Sequence, residues 1–247
     1  MLTNSIPGIG ARFGSANQFA ETPLSRLFTA SDLQDATVKS VNELRSGFLI
    51  RGNDAKPVYT FVPLKPLAQI SPVFGCQLVD VNGDGNLDLY LLQNESDLSY
   101  YSNAMINGRS QLLMGDGQGD FEPKMPIESG VDVTGDGAAL TVCDLNDDGR
   151  PDFLAATNDK GLHSFVNAGE YKPLVINLDK FEKSPVGAKV TIIFNDGRKQ
   201  VHHQFATSGY LSQSPPVIYS GQSGVESIQI RWPDGSVKSF GAADFIE

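Results

Sequence analysis

Two stretches of this chain are nearly the same word. Asp80-Val-Asn-Gly-Asp-Gly-Asn-Leu-Asp88 and Asp144-Leu-Asn-Asp-Asp-Gly-Arg-Pro-Asp152 both read D-x-N-x-D-G-x-x-D, starting 64 residues apart (144 − 80). Both place carboxylates at positions 1, 5 and 9 and an amide oxygen at position 3 of nine residues. Carboxylates that close repel one another unless a cation sits between them. An all-oxygen donor set of this kind suits a hard divalent ion, above all Ca²⁺. In the first loop the expected ligands are the side chains of Asp80, Asn82, Asp84 and Asp88, with the Asn86 carbonyl. In the second they are Asp144, Asn146, Asp148 and Asp152, with the Arg150 carbonyl. Gly85 and Gly149 permit the sharp turn that wraps a loop round an ion. Mg²⁺ suits the loops less, because it demands near-ideal octahedral geometry and keeps its waters.

Two rival readings of the loops are weaker. An EF-hand needs a Glu at position 12 and helices on both sides, but position 12 is Leu91 in one loop and Ala155 in the other. Simple Asx-rich turns would explain one copy. Two copies in register, each ending in Asp at position 9, favour metal. Gly115–Gly119 and Asp132-Val-Thr-Gly-Asp-Gly137 read as turns instead, and Leu140 stands at position 9 of the latter. The ions are expected to be structural, since the loop itself supplies nearly every ligand.

Catalytic constellations are not legible. The histidines are His163, His202 and His203. The last two are neighbours on an expected strand and so face opposite sides. His-Glu-x-x-His, Gly-x-Ser-x-Gly and phosphate-loop words are all missing. Ser208, Ser212 and Ser214 near Tyr210 have no His and acid placed beside them by sequence, and Trp232 reads as core. No catalytic residue is assigned.

The elements that must position the loops are β. Short apolar runs alternate with Gly- and Pro-rich turns. Strand signals fall at 48–50, 58–62, 75–79, 87–92, 111–114, 138–143, 153–156 and 162–166, so the unit is strand, acidic loop, strand, turn, strand. That order fits a propeller blade. After about residue 171 the acidic loops stop. Alternating runs at 190–194, 201–205 and 228–232, with Asn195-Asp-Gly197 and Pro233-Asp-Gly235 turns, predict a small antiparallel domain. One helix is expected near 31–45, where Ser31-x-x-Gln34 looks like a capping box and Leu33, Ala36, Val41 and Leu44 recur near helical spacing. The expected fold is all-β. It comprises an N-terminal segment (1–46) with that helix, blades of an incomplete ring (47–170), and the small β domain (171–247).

Composition narrows the partners. The 247 residues carry a formal net charge of −10, which argues against nucleic acid and anionic membrane surfaces. Two bound Ca²⁺ would bring it to −6. No apolar run approaches a membrane span, and residues 1–18 lack the basic and apolar regions of a signal peptide. Cys76 and Cys143 lie four and one residues before their loops. That parity points them to opposite strand faces, so the expectation is two small buried thiols rather than a disulfide.

At these residues the chain resembles the FG-GAP/VCBS repeat family, the blade repeat of integrin α-subunit propellers and of many large secreted bacterial proteins. The matching words are VFGCQLVDVNGDGNLDLYLL, AALTVCDLNDDGRPDFLAAT and LLMGDGQGDF. The tail is similar to an ASPIC/UnbV domain, which follows such repeats in the cartilage acidic protein family. Gly187-Ala-Lys-Val190, Ser208-Gly-Tyr-Leu-Ser-Gln213 and Ile230-Arg-Trp-Pro-Asp-Gly235 carry that likeness. Tyr219-Ser-Gly-Gln222 departs from the Phe-Gly-Leu-Gly often found there. The resemblance implies a secreted or surface-exposed, calcium-loaded, non-catalytic module for binding or adhesion, toward a protein or carbohydrate partner. The alternatives are a secreted hydrolase acting at propeller loops and a purely structural C-terminal segment. Two repeats are too few to close a ring, so the chain is expected to belong to a longer protein or to associate with copies of itself.

Overall fold

The computed structural model describes residues 8–52, 58–95, 108–158 and 160–245. They form two units, one ending at Leu44 and one beginning at Arg45.

The N-terminal unit holds three one-turn helices, α1 (Ala16–Ala20), α2 (Leu24–Leu27) and α3 (Ala30–Leu33). The helix expected over 31–45 is thus reduced to α3. Its capping box is Thr29 with Asp32, two residues ahead of the expected Ser31. The missing turns have a physical cause. Val41 and Leu44 are 73% and 88% exposed, and a short helix without an apolar surface to bury is not stable on its own.

The larger unit is all-β. β1 (Gly47–Arg51) and β2 (Tyr59–Pro63) form a hairpin. β3 (Val73–Val79), β4 (Asp88–Gln93), β5 (Gln111–Gly115) and β6 (Phe121–Lys124) make a four-stranded antiparallel blade in chain order. A turn of helix, α4 (Pro126–Ser129), leads to a three-stranded blade of β7 (Gly137–Cys143), β8 (Asp152–Thr157) and β9 (Gly161–Phe165). Strand alternation assigns the two faces of β4. Leu89 and Leu91 face the β1–β2 hairpin, where Phe48 stacks on Phe121 with centroids 4.6 Å apart. Tyr90 and Leu92 face the second blade, meeting Leu140, Phe153 and Ala155. Cys76 is exposed, contrary to the expectation of a buried thiol, because none of the hydrophobic clusters takes it in at its place opposite Leu91; Cys143 is half-buried, and both thiols are free.

Past the blades come β10 (Pro173–Asn177), β11 (Lys189–Phe194), β12 (Lys199–His203), β13 (Val217–Gly221), β14 (Val225–Arg231) and β15 (Val237–Phe240). A four-stranded sheet runs β12-β11-β14-β15, and β10 pairs antiparallel with β13 as a separate ribbon. Neither ribbon strand is foreseen in the sequence reading, and together they join the two parts of the unit. Leu174, Ile176 and Ile218 point into the C-terminal core with Val190, Ile192, Ile228, Ile230 and Trp232. Val175, Val217 and Tyr219, one residue out of phase, point into the blade core. Period-2 alternation lets one thin ribbon serve as the wall of both cores. No described helix is long and apolar enough to cross a membrane.

Candidate metal centre

Each acidic loop connects the first two strands of a blade: Asp80–Asp88 joins β3 to β4, and Asp144–Asp152 joins β7 to β8. The two are built almost bond for bond alike. At position 1, Asp80 Oδ1 accepts from Gly83 N (2.7 Å) and Oδ2 from Gly85 N (2.9 Å). Asp144 accepts from Asp148 N (3.2 Å) and Gly149 N (2.7 Å). At position 9, Asp88 Oδ2 accepts from Val81 N (3.0 Å), and Asp152 Oδ2 from Leu145 N (2.8 Å). The other oxygen of each reaches the end of its blade's third strand, at Gly115 N (2.9 Å) and Asn167 N (2.7 Å). At positions 3 and 5 the amides of Asn82 and Asn146 donate to Asp84 and Asp148 (2.9 and 2.7 Å). Position 6 is a left-handed glycine in both, Gly85 (φ +82°) and Gly149 (φ +81°). Position 4 is left-handed as well, at Gly83 (φ +75°) and Asp147 (φ +59°), a requirement the sequence pattern does not display.

The structure therefore brings the members of each loop together, but turns the first and last aspartates toward backbone amides. Among the described residues no three His, Cys, Asp or Glu side chains converge as a metal-holding group. Two observations bear on the fit of a cation. Asp80 Oδ1 and both Asp88 oxygens accept one amide each, which leaves lone pairs free on each. Asp80 (1% exposed), Asp88 (0%) and Asp152 (0%) are also sunk in the protein, and no described cationic side chain meets any of them. Burial pushes Asp88 up to about 7, against its two amide hydrogen bonds. Burial likewise raises Asp80 despite three such bonds. The donor chemistry and this uncompensated charge fit a hard divalent ion.

The loops differ in their surroundings. Arg150 of the second loop pairs with Asp148 of the same loop and donates from Nε to the Asn167 carbonyl (3.0 Å). The first loop meets its neighbours from the C-terminal part. Gly221 N donates to Asp80 Oδ2 (2.6 Å), Gln200 Nε2 to the Gly85 carbonyl (2.7 Å), and Arg198 Nη1 to Asn86 Oδ1 (2.6 Å). Asn167 ties the loops together. Its N–H caps Asp152, and its side-chain amide donates to the Val81 carbonyl (2.8 Å). The tyrosine four residues on, Tyr171, packs on Gly83. None of these partners is legible in the sequence, because each lies outside the repeated word.

The remaining candidates resolve as structure. Ser212 Oγ accepts from Leu140 N (2.9 Å) and Ser214 Oγ from Val142 N (3.1 Å), closing the free edge of β7. Trp232 is in the C-terminal core. His202 is half-buried against Gln200 (3.1 Å), while His203 is exposed. A cleft of about 560 Å³ at the seam between the blades is floored by Leu112, Phe153 and Phe165. Its Glu128 carboxylate caps α4 through Met125 N (2.9 Å).

A β-bladed repeat followed by a small antiparallel domain is the class that this geometry defines. Residues 80–155 match the family model for the FG-GAP-like repeat, and residues 179–244 match the model for ASPIC and UnbV. The chain thus carries an FG-GAP-like repeat segment and, after it, an ASPIC/UnbV domain. No curated protein matches it.

Proposed function

We propose that this chain is a non-catalytic calcium-binding repeat module for extracellular or cell-surface binding or adhesion, in which two Ca²⁺ ions are structural. The first ion is held by Asp80, Asn82, Asp84, Asp88 and the Asn86 carbonyl. The second is held by Asp144, Asn146, Asp148, Asp152 and the Arg150 carbonyl. The observation that carries this reading is the pair of loops of matching geometry, whose buried position-9 aspartates, Asp88 and Asp152, have no cationic partner among the described residues. A cation offsets the cost of burying them. The FG-GAP-like match supports the extracellular setting, and the acidic surface favours a protein or carbohydrate partner over nucleic acid.

Thermal melting with calcium, and with EDTA as control, tests the ion. A site saturated tenfold above its Kd adds about 1.4 kcal/mol. Two such sites raise the Tm of a unit this size by roughly 6–11 °C. The Asp84→Ala, Asp148→Ala double variant loses that shift. An unchanged Tm in the unsubstituted protein overturns the calcium reading.

A further inference from the structure

The first acidic loop is gripped by a domain that contributes nothing to its sequence motif. Four hydrogen bonds cross from the ASPIC/UnbV segment to this loop and reach Asp80, Gly85 and Asn86, the longest running from Arg198 Nη1 to the Gly85 carbonyl (3.5 Å). Gly221 N, at the end of β13, donates to the position-1 carboxylate of Asp80 (2.6 Å). Gln200 Nε2, on β12, donates to the position-6 carbonyl of Gly85 (2.7 Å), and both groups are buried. Arg198 Nη1 donates to the position-7 side chain of Asn86 (2.6 Å). The steric fit is equally close. A Cβ on Gly221 would stand 2.4 Å from the Gly83 carbonyl oxygen, and one on Gly85 would stand 3.0 Å from the Phe194 ring. Arg198 is itself steadied by Asp196 (2.7 Å) and lies over the Phe194 ring (5.0 Å). Loop positions 1, 4, 6 and 7 are therefore set from outside the blade.

The second loop is held differently. Its arginine, Arg150, belongs to the loop itself. The ribbon meets it through Pro173 and Val175 beside Gly149. Arg198, Gln200 and Gly221 make none of these contacts.

We propose that Arg198, Gln200 and Gly221 are positioning residues for the first loop, so that cation binding there and the docking of the ASPIC/UnbV domain on the blades are thermodynamically linked. Linkage is reciprocal. Whatever fixes Asp80, Gly85 and Asn86 in their bound arrangement also fixes the surface on which the domain sits, and the docked domain pre-organises the loop. The inference rests on the calcium reading above and specifies what regulates one of its two sites.

The test uses calcium alone as the probe, on the full chain. Calorimetric titration of the Asp148→Ala variant isolates the first loop, and that of Asp84→Ala isolates the second. Adding Arg198→Ala with Gln200→Ala is expected to weaken the first site about tenfold, within the usual range of coupling between sites. The second site keeps its affinity. Arg198→Lys, which retains a donor for Asn86, restores part of the loss. In the reverse direction, calcium slows hydrogen exchange of the Gly221 amide in Asp148→Ala and not in Asp84→Ala. Unchanged affinity at the first site in the Arg198/Gln200 variant overturns the inference while leaving calcium binding intact. So does calcium protection of Gly221 that survives Asp84→Ala. Failure of the unsubstituted chain to bind calcium at all overturns both readings, and is recognised because no variant is needed to see it.

Discussion

Asp88 and Asp84 stand four residues apart in one loop and do different work. Asp88 is fully buried and accepts from two backbone amides on two different strands' ends. Asp84 is exposed and bonds within the loop. Asp88→Asn turns an NH₂ group toward one of those amides, so it is expected to cost about 1–3 kcal/mol even in EDTA. Denaturant unfolding without calcium measures this, and a neutral result means the carboxylate serves the ion alone. His202 supplies a pH dependence. Desolvation, with His203 beside it, pushes His202 down to about 4 from an ordinary value of 6.5. Between those values the unfolded chain holds a proton that the folded chain refuses. The stability present above pH 6.5 is therefore lost as pH falls toward 4, by about 3 kcal/mol. Comparing denaturant curves of the parent and His202→Gln across that window isolates the effect, because the carboxylates titrate in both.

Among the elements, the β10–β13 ribbon and the 208–214 segment join one part of the unit to the other. Leu174 is fully buried on the ribbon's C-terminal face. Leu174→Ala is expected to cost about 2–5 kcal/mol. The loss should appear in the blades as well as in the ASPIC/UnbV sheet, because the ribbon's other face lines the blade core. Fluorescence of Trp232 and hydrogen exchange of β4 report on the two cores separately. Ser212 and Ser214 replace a neighbouring strand along β7. Ser212→Ala leaves the buried Leu140 N–H without its acceptor, at about 1–3 kcal/mol. The exchange rate of that amide rises while the β7–β8 ladder remains. An unaltered Leu140 rate would mean that the edge is not closed by this hydroxyl.

At the scale of the whole molecule, the ring is not completed by further blades among the described residues. A four-stranded blade and a three-stranded blade stand side by side, and the ribbon covers the blade core through Val175, Val217 and Tyr219. One consequence is cooperativity. Residues 45–245 share a wall between their two cores, so calorimetry should find one transition spanning blades and ASPIC/UnbV domain together. Two separated transitions within this unit would show the ribbon to be a weak joint. The other consequence is an open edge. Among the described residues β9 has no strand on its outer side, and Leu162 on it is 68% exposed. Light scattering of the full chain reports whether copies associate.

The sequence by itself determined the acidic loops, their β flanks and most of the strands. These depend on contacts between near neighbours: Asp80 with Gly83 and Gly85, Asp88 with Val81, and period-2 alternation along each strand. It also settled the sides of His202 and His203, which follow from strand parity alone. It misjudged residues 31–45, where helical spacing is present and no surface exists to bury it. The tertiary structure alone decided what surrounds the loops. The ribbon pairs residues 173–177 with 217–221 across about forty intervening positions, and Gly221 reaches Asp80 from 141 residues away. Such partners share no motif with the loop, since a backbone N–H is common to almost every residue type and only the fold brings this one to Asp80.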